Sequence, residues 1–169
     1  LIGAQEYSTD DVQILVGTLG KAFGTQGGFV AGSDALIETL IQHARTYIYS
    51  TALPAAVAVA TRASLQIAID EEWRRERLRE LVKVFRTGAT QIGLQLSESQ
   101  TPIQPIMLGT EKSALAMSAT LEEQGLLISA IRPPTVPKGT SRLRITITAA
   151  HTDADVAKLL AALEQANHG

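Results

Sequence analysis

The spacing of apolar and polar positions changes along the chain, and each change marks an element. Residues 12–19, VQILVGTL, are an apolar, β-prone run and predict a buried strand. Glycines crowd residues 20–28, and residues 29–32 predict a second short strand. Ser33 can cap the helix that follows, with Asp34 in its positive first turn. Leu36, Ile37, Leu40, Ile41 and Ala44 then recur at helical spacing. Pro54 suits a first helical position, and residues 55–69 are apolar almost all round, which predicts a buried helix. Residues 71–79 are densely charged. Leu78, Leu81, Val82, Phe85, Ala89 and Ile92 form a single stripe, the mark of an amphipathic surface helix.

A break at residues 97–102 separates this helix from a different pattern. Residues 103–108 predict a strand, with Pro105 favouring a sheet edge. Residues 112–124 predict a helix that stops at Gly125. Residues 126–131 predict a strand, and the proline-rich stretch 133–140 a rigid loop. Residues 142–148 alternate strictly: Leu143, Ile145 and Ile147 on one face, Arg142, Arg144, Thr146 and Thr148 on the other. Thr152 and Asp155 have capping-box spacing ahead of a helix striped by Val156, Leu159, Leu160 and Leu163. The expected organisation is α/β. An incomplete α/β unit with its connecting helix occupies residues 1–74, and an α+β lobe, of order β-α-β-β-α from residue 103 on, occupies residues 75–169.

Composition narrows the function. The 169 residues are 45% apolar and 19% charged with net charge −2, a balance that favours neither nucleic acid nor a membrane surface as partner. The absence of cysteine excludes disulfides, thiolate nucleophiles and cysteine-ligated metals, and no metal site is expected. No apolar stretch reaches the length of a membrane span, and residues 1–8 lack the features of a signal peptide. A cytoplasmic protein is expected. The chain begins at Leu1 rather than methionine, and a fragment or processed piece is expected.

Lys21 is the first residue with chemical interest. It follows the apolar strand between Gly20 and Gly24. Partial burial among apolar groups eases the loss of a lysine proton, and glycines let backbone approach a flat cofactor. A solvated loop lysine has the same spacing. A phosphate-binding loop of the GxxxxGK[ST] type is excluded, because Gly17 lies only three residues before Gly20 and Ala22 follows the lysine.

Thr18-Leu19-Gly20-Lys21-Ala22-Phe23-Gly24 resembles the lysine motif of the α-oxoamine synthases, fold-type I enzymes dependent on pyridoxal 5'-phosphate (PLP). Residues 49–54 (YSTALP), 130–137 (AIRPPTVP), 141–144 (SRLR) and 148–151 (TAAH) resemble later landmarks of the family, in the family's order. The resemblance implies a partial fold-type I PLP-transferase large domain followed by a C-terminal α+β lobe. It implies that Lys21 carries PLP as a Schiff base and later takes the substrate α-proton. Thr18 matches a residue that hydrogen-bonds the cofactor phosphate. Ser50 and Thr51 match a segment that reaches the partner subunit's cofactor in a homodimer with shared sites, and a helix N-cap before Pro54 is the other reading. Arg144 matches the arginine that pairs with the substrate α-carboxylate, and Thr135 a substrate-contacting threonine.

Arg132, heading Arg-Pro-Pro-Thr-Val-Pro, resembles the branch of the family that condenses L-alanine with a pimeloyl thioester, carried by coenzyme A or a carrier protein. Another member using glycine or serine is the alternative, as is a non-catalytic fragment. In the family a histidine stacks on the pyridine ring and an aspartate pairs with its nitrogen. Both precede the lysine strand and have no match in this chain, so the chain on its own is expected to be inactive. His151 is expected to be structural.

Overall fold

The computed structural model describes residues 7–8 and 10–168. The chain divides into two compact units, Leu1–Glu71 and Glu72–Gly169.

The first unit starts with β1 (Ile14–Thr18) and β2 (Gly28–Gly32), paired antiparallel with Thr18 opposite Gly28 and Ile14 opposite Gly32. The nine residues between them are too few for a parallel crossover, so the chain turns straight back. Ser33 caps α1 (Asp34–His43), its hydroxyl accepting from the Leu36 N–H at 3.3 Å. The short α2 (Arg45–Ile48) and the long α3 (Ala55–Asp70) follow.

Two expectations fail in this unit. β1 is not buried: Ile14 and Val16 are 58% and 69% exposed. Nor is α3, in which no residue is buried. Its half-buried positions are Val57, Thr61, Ser64 and Ala68, a single stripe at helical spacing. A strand apolar on both faces and a helix apolar all round each require more than one covering layer. Among the described residues only one side of each is covered.

The second unit holds the core. The amphipathic α4 (Trp73–Gln91) turns Leu81, Val82, Phe85 and Ala89 inward. β3 (Ile103–Gly109), α5 (Glu111–Glu123), β4 (Ser129–Ile131), β5 (Ser141–Thr146) and α6 (Asp153–His168) follow, in the expected β-α-β-β-α order. The antiparallel sheet runs β3-β5-β4, which puts the proline-bearing strand at an edge. The Pro105 carbonyl accepts from the Ser97 N–H at 3.2 Å, on the side away from β5. The missing proline N–H therefore falls outside the β3–β5 ladder.

Leu143 and Ile145 on β5, Ile106 on β3 and Ile147 face the helices and pack with Leu121, Val156 and Leu163. Within α4, Gly88 admits α6: a Cβ there would lie 2.4 Å from Leu160 Cδ1. The break at residues 97–102 is organised by polar groups. Arg86 Nη1 lies 2.7 Å from Gln104 Oε1 and 3.0 and 2.9 Å from the carbonyls of Ser97 and Ser99. The buried Gln104 amide donates to Ser99 and Thr101. No helix among the described residues is long and apolar enough to cross a membrane.

Candidate functional site: the lysine loop and the open sheet face

β1 and β2 hold Lys21 at the tip of their connection. Beyond the ladder, the Leu19 N–H donates to Gly27 O at 2.9 Å and the Thr25 N–H to Leu19 O at 3.0 Å. A turn closed by Gly24 N–H to Lys21 O, at 2.9 Å, carries the lysine. Gly27 has φ +110°, a conformation that side chains resist, and a Cβ there would meet Leu53 Cδ1 at 2.9 Å. Lys21 Nζ donates to Thr18 Oγ1 at 3.2 Å. Two residues singled out from the sequence are thus in direct contact, and no carboxylate among the described residues pairs with the amine.

Two further residues act on this loop. Thr61 Oγ1 lies 2.9 Å from Thr25 Oγ1, which in turn lies 3.1 Å from Leu19 O. Ser64 Oγ donates to Phe23 O at 2.8 Å. Both project from the half-buried stripe of α3. No local signal marks them: α3 also carries Arg62, Gln66 and Asp70, and the loop partners lie 36 and 41 residues away.

Ser50 donates to the carbonyl of Thr46, one turn back, and the Thr51 hydroxyl has no partner among the described residues. Neither caps α3: Pro54 stands at the cap and no side chain bonds to it. The N-cap reading of this pair is therefore corrected. A proline at the cap position already has its φ set, and the hydroxyls lie too far back to reach the first turn. No hydrogen bond joins Ser50 or Thr51 to Lys21 or Thr18.

In the second unit, strand alternation puts Arg142, Arg144 and Thr146 on the sheet face away from the helices. Arg144 stands between Pro105 of β3 and Ser129 of β4, and its side chain has no hydrogen bond or ion pair among the described residues. It borders a cleft of about 450 Å³ shared with Ser129, Thr146, His151 and Lys158. Arg132 pairs with Glu111 in the first turn of α5, Nη1 to Oε1 at 3.0 Å, both side chains about half exposed. Thr135 closes a turn through its N–H to Arg132 O at 3.0 Å, leaving its side chain exposed.

His151 is structural here: its Nδ1 accepts from the Thr148 N–H at 3.0 Å. The capping box forms as expected. Thr152 N–H and hydroxyl both donate to Asp155 Oδ2 at 2.8 Å, and the Asp155 N–H returns to the Thr152 hydroxyl. The Thr152 N–H, then its hydroxyl, hold the Asp155 carboxyl below its ordinary pKa.

Residues 3–163 match the family described as aminotransferase class I and II. The 8-amino-7-oxononanoate synthase of Thioalkalivibrio sulfidiphilus is 62% identical over 162 residues, covering 96% of this chain and 41% of that protein. Among solved structures, the 8-amino-7-oxononanoate synthase of Francisella tularensis superposes with TM-score 0.87 at 30% identity, over 99% of this chain and 49% of that one. Sphingomonas wittichii serine palmitoyltransferase gives 0.88 at 30% identity, over 94% and 40%. The chain spans about two-fifths of the length of the curated relatives it matches. With a family model matched over nearly all its length and the fold shared with solved synthases, this chain belongs to the aminotransferase class I and II family.

Proposed function

We propose that the whole protein is a PLP-dependent acyltransferase that condenses L-alanine with a pimeloyl thioester, releasing CO2 and giving 8-amino-7-oxononanoate for biotin synthesis. The observation that carries this reading is 62% identity to 8-amino-7-oxononanoate synthase across 96% of the chain, with the lysine motif of residues 18–24 folded so that Lys21 and Thr18 touch. The donor set fits the cofactor. Lys21 offers a primary amine unpaired with any carboxylate among the described residues, and Thr18 a hydroxyl 3.2 Å away. When bound, PLP serves as an electron sink for a carbanion at the amino acid's α-carbon.

The chain's own residues have these proposed tasks. Lys21 Nζ holds the cofactor covalently and, once freed by the incoming amino acid, accepts the α-proton. The Thr18 hydroxyl donates to the cofactor phosphate. Arg144 presents two parallel N–H groups to the substrate α-carboxylate. Thr135 and Arg132 contact substrate from the proline-rich loop. Ser50 and Thr51 reach the phosphate at the partner subunit's site in a homodimer, which fits hydroxyls that do not cap their own helix. The acyl carrier is coenzyme A or a carrier protein, and the protein works in the cytoplasm. The 169 residues on their own are inactive, because no residue of this chain matches the family's ring-stacking histidine or its pyridine-pairing aspartate.

Borohydride reduction of the whole cofactor-loaded enzyme, followed by peptide mapping, tests the assignment. The pyridoxyl mass belongs on Lys21; on Lys112 or Lys138 it would overturn the reading. Spectral titration with alanine, glycine and serine tests the amino-acid choice, with alanine expected to saturate at the lowest concentration.

A further inference from the structure

We propose that Thr61 and Ser64 of α3 are positioning residues that fix the loop carrying Lys21. This inference rests on the reading of Lys21 as the cofactor lysine.

The loop has three direct ties to its surroundings beyond its own backbone turns. Ser64 Oγ donates to Phe23 O at 2.8 Å, two residues past the lysine. Thr61 Oγ1 meets Thr25 Oγ1 at 2.9 Å. Lys21 Nζ meets Thr18 Oγ1 at 3.2 Å. The first two cross 41 and 36 residues of sequence and are the side-chain hydrogen bonds that, among the described residues, join the lysine loop to the long helix.

Three oxygen contacts share the two hydroxyl protons of the threonine pair. Thr61 Oγ1 is also 2.8 Å from Val57 O, and Thr25 Oγ1 is 3.1 Å from Leu19 O. Each hydroxyl has one proton. One arrangement that uses both has Thr61 donating to Thr25 and Thr25 donating to Leu19 O, with the Val57 O contact given up. That relay runs from α3 through the loop side chain to the backbone at the end of β1. Leu19 O also receives the Thr25 N–H at 3.0 Å, so the relay closes on the residue two positions before Lys21.

The surroundings make these bonds matter. No residue of α3 is buried, and its half-buried stripe is Val57, Thr61, Ser64 and Ala68. Apolar packing on this stripe is limited to small side chains. Among the described residues, the polar hold of α3 on the loop is these two hydroxyls. A catalytic amine displaced by a fraction of its contact distance loses rate without losing its ability to bind.

The test uses the whole cofactor-loaded enzyme with three variants: the double variant Thr61→Val with Ser64→Ala, the hydroxyl-retaining double Thr61→Ser with Ser64→Thr, and Ser64→Ala alone. Amide hydrogen exchange at Gly24 and Thr25 should quicken by roughly fivefold per lost bond, while the β1–β2 ladder amides stay unchanged. The kcat of the hydroxyl-less double should fall by roughly 10- to 100-fold with KM for the acyl donor within about twofold. The hydroxyl-retaining double should restore both quantities. Ser64→Ala alone, which removes one oxygen, should show the exchange effect even where the double variant does not fold. Unchanged loop exchange in Ser64→Ala, or an equal loss of kcat in the hydroxyl-retaining double, would overturn the proposal. Borohydride mapping on the unsubstituted enzyme separates the two levels. A pyridoxyl mark absent from Lys21 sinks the cofactor reading with it, whereas a mark on Lys21 with unaltered loop exchange sinks this inference alone.

Discussion

Arg144→Ala offers a sharp test, because the structure predicts opposite outcomes for stability and for binding. Arg144 is exposed on the face of β5 away from the helices of its unit, and its side chain has no hydrogen bond or ion pair among the described residues. Removing it breaks nothing that holds the lobe together, and its effect on folding should stay within about 0.5 kcal/mol. For a lobe of this size that is a melting shift of no more than about 4 °C. Arg86 is the control. Its guanidinium lies 2.7–3.0 Å from Gln104 Oε1 and two loop carbonyls. Arg86→Ala strands those acceptors at about 1–3 kcal/mol per buried group and should lower the melting point well beyond the Arg144 variant. On the binding side, losing a charge-assisted partner of a carboxylate costs about 2–5 kcal/mol, or roughly 30- to 4,000-fold in amino-acid affinity. Arg144→Lys keeps the charge but not the planar fork and should fall between. The assay is spectral titration of the whole enzyme with L-alanine, acyl-donor KM and a thermal melt on each variant. Equal weakening of both substrates, or a melt lowered as far as in Arg86→Ala, would refute the carboxylate role.

The shared-site proposal predicts complementation: mixed dimers of Lys21→Ala and Thr51→Ala whole subunits should regain about one normal site in two, and no gain on mixing would confine each site to one subunit. Thr152→Ala removes the hydroxyl half of the α6 capping box and should cost about 1 kcal/mol of stability, read by chemical denaturation. Asp155 titrates lower in the folded lobe than in the unfolded chain, because Thr152 donates to its charged form. Its contribution is thus complete above its ordinary pKa near 3.8 and is lost as pH falls through the lower folded value. The stability difference between wild type and Asp155→Asn should shrink with acid in that window, and a difference that grew with acid would contradict the box.

The second unit was legible because its elements carry their own boundary signals. The alternation of residues 142–148 fixes which side of β5 meets the helices, and Leu143, Ile145 and Ile147 are buried as that pattern requires. Gly125 ends α5 through a paired termination: its N–H goes to Glu122 O at 2.8 Å and that of Leu126 to Leu121 O at 2.9 Å. The same bond explains why the strand expected over residues 126–131 is confined to Ser129–Ile131. Leu126 is spent closing the helix, and Leu127 is 88% exposed. In the first unit the apolar run of residues 12–19 and the all-round apolar helix marked element types correctly but not burial. Burial depends on what covers an element, which local periodicity does not encode. The contact of Lys21 with Thr18 was within reach of the motif, three residues apart. Thr61 and Ser64 were not, because their partners on the lysine loop lie 36 and 41 residues away.

That asymmetry bears on how the lysine is held. Among the described residues, every fully buried large apolar side chain belongs to the second unit, from Leu81 to Leu163. There, position is enforced by close packing, which penalises even a methylene out of place. In the first unit Ile14, Val16, Val59 and Ile69 are all more than half exposed, so packing of that kind is absent from the described surroundings of Lys21. What remains is the β1–β2 ladder, the glycine conformations that let residues 19–27 fold back, and the hydroxyls of Thr18, Thr25, Thr61 and Ser64. Hydrogen bonds are directional, and a chain of them defines an orientation more closely than it stabilises one, since each contributes only about 1 kcal/mol net. Among the described residues, these directed contacts define where the loop points. Under the proposed role of Lys21, that orientation is what would place its amine.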